Sequence, residues 1–252
     1  SWYRRQRQMC IRDRFSILQS TVRINELTQL ANELEMPAVC ITDYNNLMGS
    51  FHFLKSLENI NKKNKSENKK TLKPIIGITL NVCEDHLDRS RRDDGYQIVF
   101  IAKNKKGYKN LSKLSSLAYT KGFYYVPRVD KNLVLNFKED LIVLTGNTYG
   151  EVSSKLLNIG EKQAEESLLW WNKHFKDDLY IEIMRHNLED ENRINPVLIK
   201  FSAKHKIKLV ATNSVFYLTK EQANSHDILL CVKDGEKQST PIGRGRGFII
   251  VR

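Results

Sequence analysis

The sequence predicts an α/β protein built as a parallel barrel, and two observations carry that prediction. Short apolar runs alternate at least six times with segments of helical spacing, and each run ends in small or polar residues. A sandwich of antiparallel strands does not produce that alternation. In a parallel barrel the C-terminal edge of each strand is where polar side chains meet a ligand, so the strand ends are the places to look for chemistry. At 252 residues and 40% hydrophobic content, the chain is long enough for one barrel-sized domain or two small ones.

Residues 1–14, SWYRRQRQMCIRDR, show no hydrophobic period, strand pattern or cap. They are expected to form a non-native or disordered leader, since QMCIRDR resembles a translated sequencing-adaptor tail; an arginine-rich arm is the competing reading. From Phe15 the pattern becomes protein-like and leads to a helix on Leu27, Leu30, Ala31 and Leu34. The central stretch, Pro37 to Phe51, reads as a strand at Ala38–Ile41 that ends in Thr42 and Asp43. Asn45 and Asn46 turn the chain, and Leu47, Phe51, Leu54 and Leu57 recur at helical spacing.

Residues 61–73, NKKNKSENKKTLK, read as a solvated, mobile loop. A β-branched strand follows Pro74 and runs to Val82, a charged connection spans Glu84–Gly95, and YQIVFIA at Tyr96–Ala102 is the next strand. Asn104 opens a helix with Leu111, Leu114 and Leu117 or Ala118 inward. Gly122–Asp130 reads as a strand or edge strand in which Arg128, an inward charge, serves structure or function equally well. Leu141–Leu144 is another short strand. Of the two helices after it, the second turns Ala164, Leu168, Trp171 and Phe175 inward, with Trp170 beside them as core packing. Leu179–Asn187 alternates as a strand with His186 at its end. Lys208–Tyr217 repeats the design, and a helix carrying Ala223, His226, Asp227 and Leu230 precedes a flexible basic stretch, PIGRGRG.

The net charge of +12 is concentrated: residues 1–14 contribute +4 and residues 61–73 contribute +5, leaving +3 for the rest. A nucleic-acid function therefore does not follow from net charge alone. Cys10, Cys40, Cys83 and Cys231 form no C-x-x-C pair, which argues against disulfides and a thiolate zinc site and suits a reducing cytoplasm. No apolar run approaches the roughly 20 residues of a bilayer span, so no membrane partner is expected.

Several of these segments carry a resemblance. Thr42-Asp43-Tyr44-Asn45-Asn46, KPIIG at Lys73–Gly77, KNKKGYKNL at 103–111, GFYYVPRVD at 122–130, ATNSVFY at 211–217 and the His226-Asp227 helix resemble motifs of the PHP (polymerase and histidinol phosphatase) domain of bacterial DNA polymerase III alpha subunits. The match covers roughly residues 15–248. It implies a distorted (β/α)7 barrel of PHP type with metals at the C-terminal mouth. The implied organisation is a PHP domain at 15–235 and a basic tail at 236–252 beginning the linker to polymerase domains.

The resemblance carries metal ligation onto Asp43 and His186 only. Where it calls for imidazole, carboxylate or thiolate, this chain has Cys10, Arg12, Tyr44, Thr79, Gln97, Asn147, Ser214 and Phe216. A multinuclear hydrolase needs several such ligands to hold its cations and to acidify a bound water. The expectation is therefore a lapsed phosphoesterase with no catalytic residue and no cofactor of its own, serving as the scaffold of a replicative polymerase that uses magnesium. The implied partners are other polymerase III holoenzyme subunits, including a separate proofreading exonuclease, and DNA through the whole polymerase. Two alternatives stand beside it. An active phosphoesterase or 3′-5′ exonuclease would bind metal through Asp43, His186 and either His226 or Glu182. A basic nucleic-acid module would use residues 61–73 and the GRGRG tail.

Overall fold

The computed structural model describes residues 8–11 and 19–240. Arg12, most of the leader and the GRGRG segment lie outside the described residues. The chain divides into two units, one made of the described residues up to Asp43, Met48–Ile75 and those from Asn213 onward, the other of Tyr44–Leu47 and Ile76–Thr212.

In the first unit, β1 (Gln8–Ile11) pairs in parallel with β2 (Ala38–Tyr44), Cys10 opposite Cys40 and Ile11 opposite Ile41. The leader showed no strand pattern, and its four-residue strand is a finding of the structure. Helix α1 (Ile24–Glu33) buries Ile24, Leu27, Thr28 and Ala31, while Leu34 is its exposed C-cap rather than a core residue. Helix α2 (Ser50–Ser66) turns Ser50, Phe53, Leu57 and Asn64 inward, so the stripe is offset from the expected Phe51 and Leu54, both of which are exposed.

The first part of the lysine run is therefore the C-terminal end of a helix and not a loop. Its lysines sit where the helix dipole favours cations, Lys62 pairs with Glu58, and Asn61 bonds both backbone groups of Leu72 at 2.8 and 2.9 Å. Asn64 donates to Asn32 Oδ1 and to the Lys70 carbonyl, which folds the chain back along α2.

The second unit holds a mixed sheet. Strand β3 (Lys73–Cys83) enters it at Ile76 and pairs antiparallel with β4 (Tyr96–Ala102), Asn81 opposite Gln97. The short β5 (Arg128–Asp130) lies parallel to β3. On the other side β4 pairs antiparallel with β6 (Leu141–Leu144), followed in parallel by β7 (Leu179–Ile183) and β8 (Lys208–Val215). The expected all-parallel order is corrected at β4, because residues 84–95 contain no crossover helix and a parallel return needs one. The described residues hold eight strands against the seven expected.

Around this sheet stand α3 (Lys105–Thr120), α4 (Lys131–Asn136), α5 (Glu151–Asn158), α6 (Glu161–Phe175) and α7 (Glu189–His205). Their inward residues, among them Leu111, Leu114, Leu168, Trp171, Leu198 and Phe201, pack on Ile78, Leu80, Ile98, Phe100, Val143 and Ile181 in one core. In the first unit α8 (Ala223–Asp234) buries His226, Asp227, Leu230 and Cys231. No helix among the described residues is long and apolar enough to cross a membrane.

Candidate metal centre

In the second unit, the strand ends carry neutral groups. The Tyr44 hydroxyl donates to Asn81 Oδ1 at 2.7 Å, and Asn81 Nδ2 donates to the Pro127 carbonyl at 3.2 Å. Thr79 is buried in β3, opposite Val99, and its carbonyl accepts the Asn45 N–H at 2.8 Å. Gln97 faces Asn81 across the β3–β4 ladder, and its backbone N–H donates to the Tyr149 carbonyl. Asn147 caps its own turn, its Oδ1 accepting from the Tyr149 N–H at 2.9 Å. A phenol, a threonine hydroxyl and three carboxamides supply no anionic oxygen and no imidazole.

Strand β7 brings one buried carboxylate, Glu182, whose Oε1 accepts from the Thr212 hydroxyl while its backbone N–H donates to Thr145 Oγ1 at 3.0 Å. The strand ends at Ile183, so His186 stands in the β7–α7 connection rather than at the strand end. Glu191 holds it twice: the carboxylate lies 2.6 Å from Nδ1 and accepts the His186 backbone N–H at 2.5 Å. With Nδ1 oriented by a buried carboxylate, Nε2 is the ring nitrogen left to face a ligand. Sequence reasoning missed Glu191; its signal was an acid in the first turn of the next helix, five residues on.

The first unit holds the other candidates. Asp43 is buried near the end of β2. Phe216 stacks on the His226 ring at 5.4 Å and 20°, and His226 Nε2 lies 2.8 Å from the Gln19 carbonyl. Burial pushes the His226 pKa below its ordinary value against the opposing pull of that carbonyl. His226 is thus a stacked, hydrogen-bonded core residue. Asp43 and His186, the two ligands expected, belong to different units. Metal chemistry of the PHP type needs carboxylate, imidazole or thiolate at most of these positions, and this donor set does not fit a cluster of two or three cations.

A cluster that the sequence did not reveal joins the β3–β4 connection to the end of β5. Asp85, His86 and Asp130 bring one donor atom each within 4.8 Å of one another. Its chemistry is accounted for locally. His86 Nδ1 is bonded to Asp130 Oδ2, and Asp130 Oδ1 caps α4 through the Leu133 N–H at 2.7 Å. Burial would raise the Asp130 pKa, but the Leu133 N–H and His86 outweigh it and hold the carboxyl below its ordinary value. Arg128, fully buried, directs its guanidinium at the carbonyls of Gly122, His86, Asp88 and Asp93. Of the two roles left open for Arg128, these contacts describe the structural one, fastening the connection to the sheet.

Comparison with known proteins matches residues 11–186 to a family profile described as the PHP domain. DNA polymerase III alpha subunits align over most of the chain: that of Borreliella burgdorferi is 32% identical over 229 residues, that of Campylobacter jejuni 34% over 238 and that of Aquifex aeolicus 36% over 229. These alignments cover 87–90% of this chain and 19% of each relative, so the chain spans about a fifth of their length. Among solved structures, a protein assigned as a metal-dependent phosphoesterase from Bifidobacterium adolescentis superposes with a TM-score of 0.52 at 12% identity, covering 84% of this chain and 88% of that one. An amidohydrolase from Chromobacterium violaceum gives the same TM-score at 8% identity, covering 84% and 87%. These two likenesses establish a shared fold.

Proposed function

The chain belongs to the PHP domain family, and on that premise we propose that it is the PHP portion of a bacterial replicative DNA polymerase, a scaffold in which phosphoesterase chemistry has lapsed. One observation carries the polymerase reading: about nine-tenths of the chain aligns with DNA polymerase III alpha subunits at 32–36% identity. The lapse is supported by Tyr44, Thr79, Gln97 and Asn147, which offer only neutral groups, those of Tyr44 and Asn147 bonded within the protein. In this reading the portion has no cofactor of its own. The longer polypeptide works in the cytoplasm, extends primers with magnesium and deoxynucleoside triphosphates, and meets DNA, the other holoenzyme subunits and a separate proofreading exonuclease.

The competing reading, an active phosphoesterase or exonuclease, draws on Asp43 and on His186 with its Glu191 support. A 3′ exonuclease assay with manganese, run beside primer extension, separates the two. The chain alone is expected to give neither activity, while a polypeptide of the alpha subunits' full length carrying it extends primers. Nuclease activity that disappears in Asp43→Asn and His186→Ala would establish the phosphoesterase instead.

A further inference from the structure

We propose that the exposed face of α3, continuing through Phe123 and Tyr125, binds single-stranded nucleic acid. Two independent features meet there. The first is charge: residues 103–129 carry seven cations and no acidic side chain. Lys103 and Lys106 are tied to Asp178 and Glu139, and Arg128 is buried. Lys105, Lys109 and Lys113 are exposed, and they have no carboxylate partner among the described residues. Lys105 and Lys109 share a helix face with Ser112, Ser116 and Tyr119, and Lys113 flanks it.

The second feature is aromatic. Tyr119, Phe123 and Tyr125 are 46%, 49% and 61% exposed. Tyr119 and Phe123 lie stacked at 6.5 Å and 18°, and the Arg92 guanidinium, itself paired with Asp94, covers the Tyr125 ring at 4.9 Å. Tyr125 has φ 62, a left-handed conformation that costs a bulky residue free energy.

Lysines are depleted in protein interfaces, which argues against a protein on this stripe and for phosphate. Exposed rings accept unpaired bases of any identity, because every base has a π-face. The fifteen residues from Lys105 to Tyr119 span about 21 Å, the length of about six stacked nucleotides. Cations at one end and rings at the other thus match a short strand in both charge and length.

The test is fluorescence anisotropy of the 252-residue chain with labelled decathymidylate and with a hairpin duplex, between 50 and 200 mM salt. The single strand is expected to bind more tightly than the duplex. Lys105→Gln, Lys109→Gln and Lys113→Gln together should lower the salt slope by about 2, at about 0.7 per phosphate contact. Tyr119→Ala with Phe123→Ala should weaken binding about tenfold or more and leave the slope unchanged. All five positions are exposed, and melting curves verify folding. Glutamine at Lys62, Lys63, Lys65, Lys69 and Lys70 should leave both effects in place. No saturable binding, a preference for duplex, indifference to both α3 variants, or loss confined to the lysine-run variant would each overturn the proposal; the first would leave the stripe to a protein partner. The proposal does not depend on the polymerase reading.

Discussion

Asn45 takes a left-handed φ of 62°, with its N–H on the Thr79 carbonyl and its own carbonyl accepting from Ser115 Oγ at 2.8 Å. Its side-chain oxygen and nitrogen are buried with no hydrogen-bond partner among the described residues. Glycine adopts this conformation without strain, and asparagine is the residue that tolerates it next best. Asn45→Gly is expected to be at least as stable as the parent, since it relieves the strain and removes an unsatisfied carboxamide. Asn45→Val should cost about 2 kcal/mol, a β-branched residue being poorly suited to a left-handed φ. Urea melts of the two variants decide this, and a glycine variant more than about 1 kcal/mol below the parent would refute it. The residue types at the positions where the resemblance calls for ligands were legible one by one, because type is read directly. Their partners were not, since Tyr44 finds Asn81, and His226 finds Gln19, only through the fold.

Among the elements, strand–helix alternation was legible wherever apolar runs were bounded by turn residues. Two glycines of the recognised motifs also have a reason in the fold: a Cβ on Gly107 would lie 2.2 Å from the Asp140 carbonyl oxygen, and one on Gly122 2.0 Å from that of Arg128. The α2 extension was not legible, because its lysines read as solvated until Asn61 and Asn64 are seen bonded to the returning chain. Nor was the joint made by Glu151 at the start of α5. Its carboxylate accepts from Lys131 of α4 and Lys155 of α5, each at 2.8 Å, and from the Trp171 indole of α6. Burial would raise the Glu151 pKa, but the two ammonium groups outweigh it and hold the carboxyl below its ordinary value. The unfolded chain therefore takes up this proton first as pH falls. The stability Glu151 supplies is complete above about pH 5 and drains away as pH passes down through the folded value. Glu151→Gln is expected to cost about 2–4 kcal/mol at pH 7 and to flatten the stability profile between about pH 5 and 3. Chemical denaturation across that range tests both, and an unchanged acid slope in the variant would show that the joint contributes nothing.

For the whole molecule, fold class and family were legible because the resemblance spread over most of the chain, so no single missing ligand could hide it. The antiparallel β4 and the division into two units escaped, since both depend on how strands pair rather than on where they fall. A consequence of the donor chemistry can be measured on the intact chain. A cation present at 100 times its Kd adds about 2.7 kcal/mol to a fold that needs it, which at this chain length is a melting shift of roughly 5–10 °C. Here Tyr44 and Asn81 bond each other, Glu182 takes the Thr212 hydroxyl, and Phe216 covers His226, so these groups are engaged with protein. Prolonged dialysis against a chelator is therefore expected to leave the melting temperature within about 1 °C of its starting value, and zinc or manganese added back should not raise it. Elemental mass spectrometry of the untreated protein provides the independent reading. Stoichiometric metal together with a chelator-induced drop of several degrees would mean that Asp43 or His186 has recruited donors beyond those the family pattern names, and the scaffold reading would give way to the phosphoesterase.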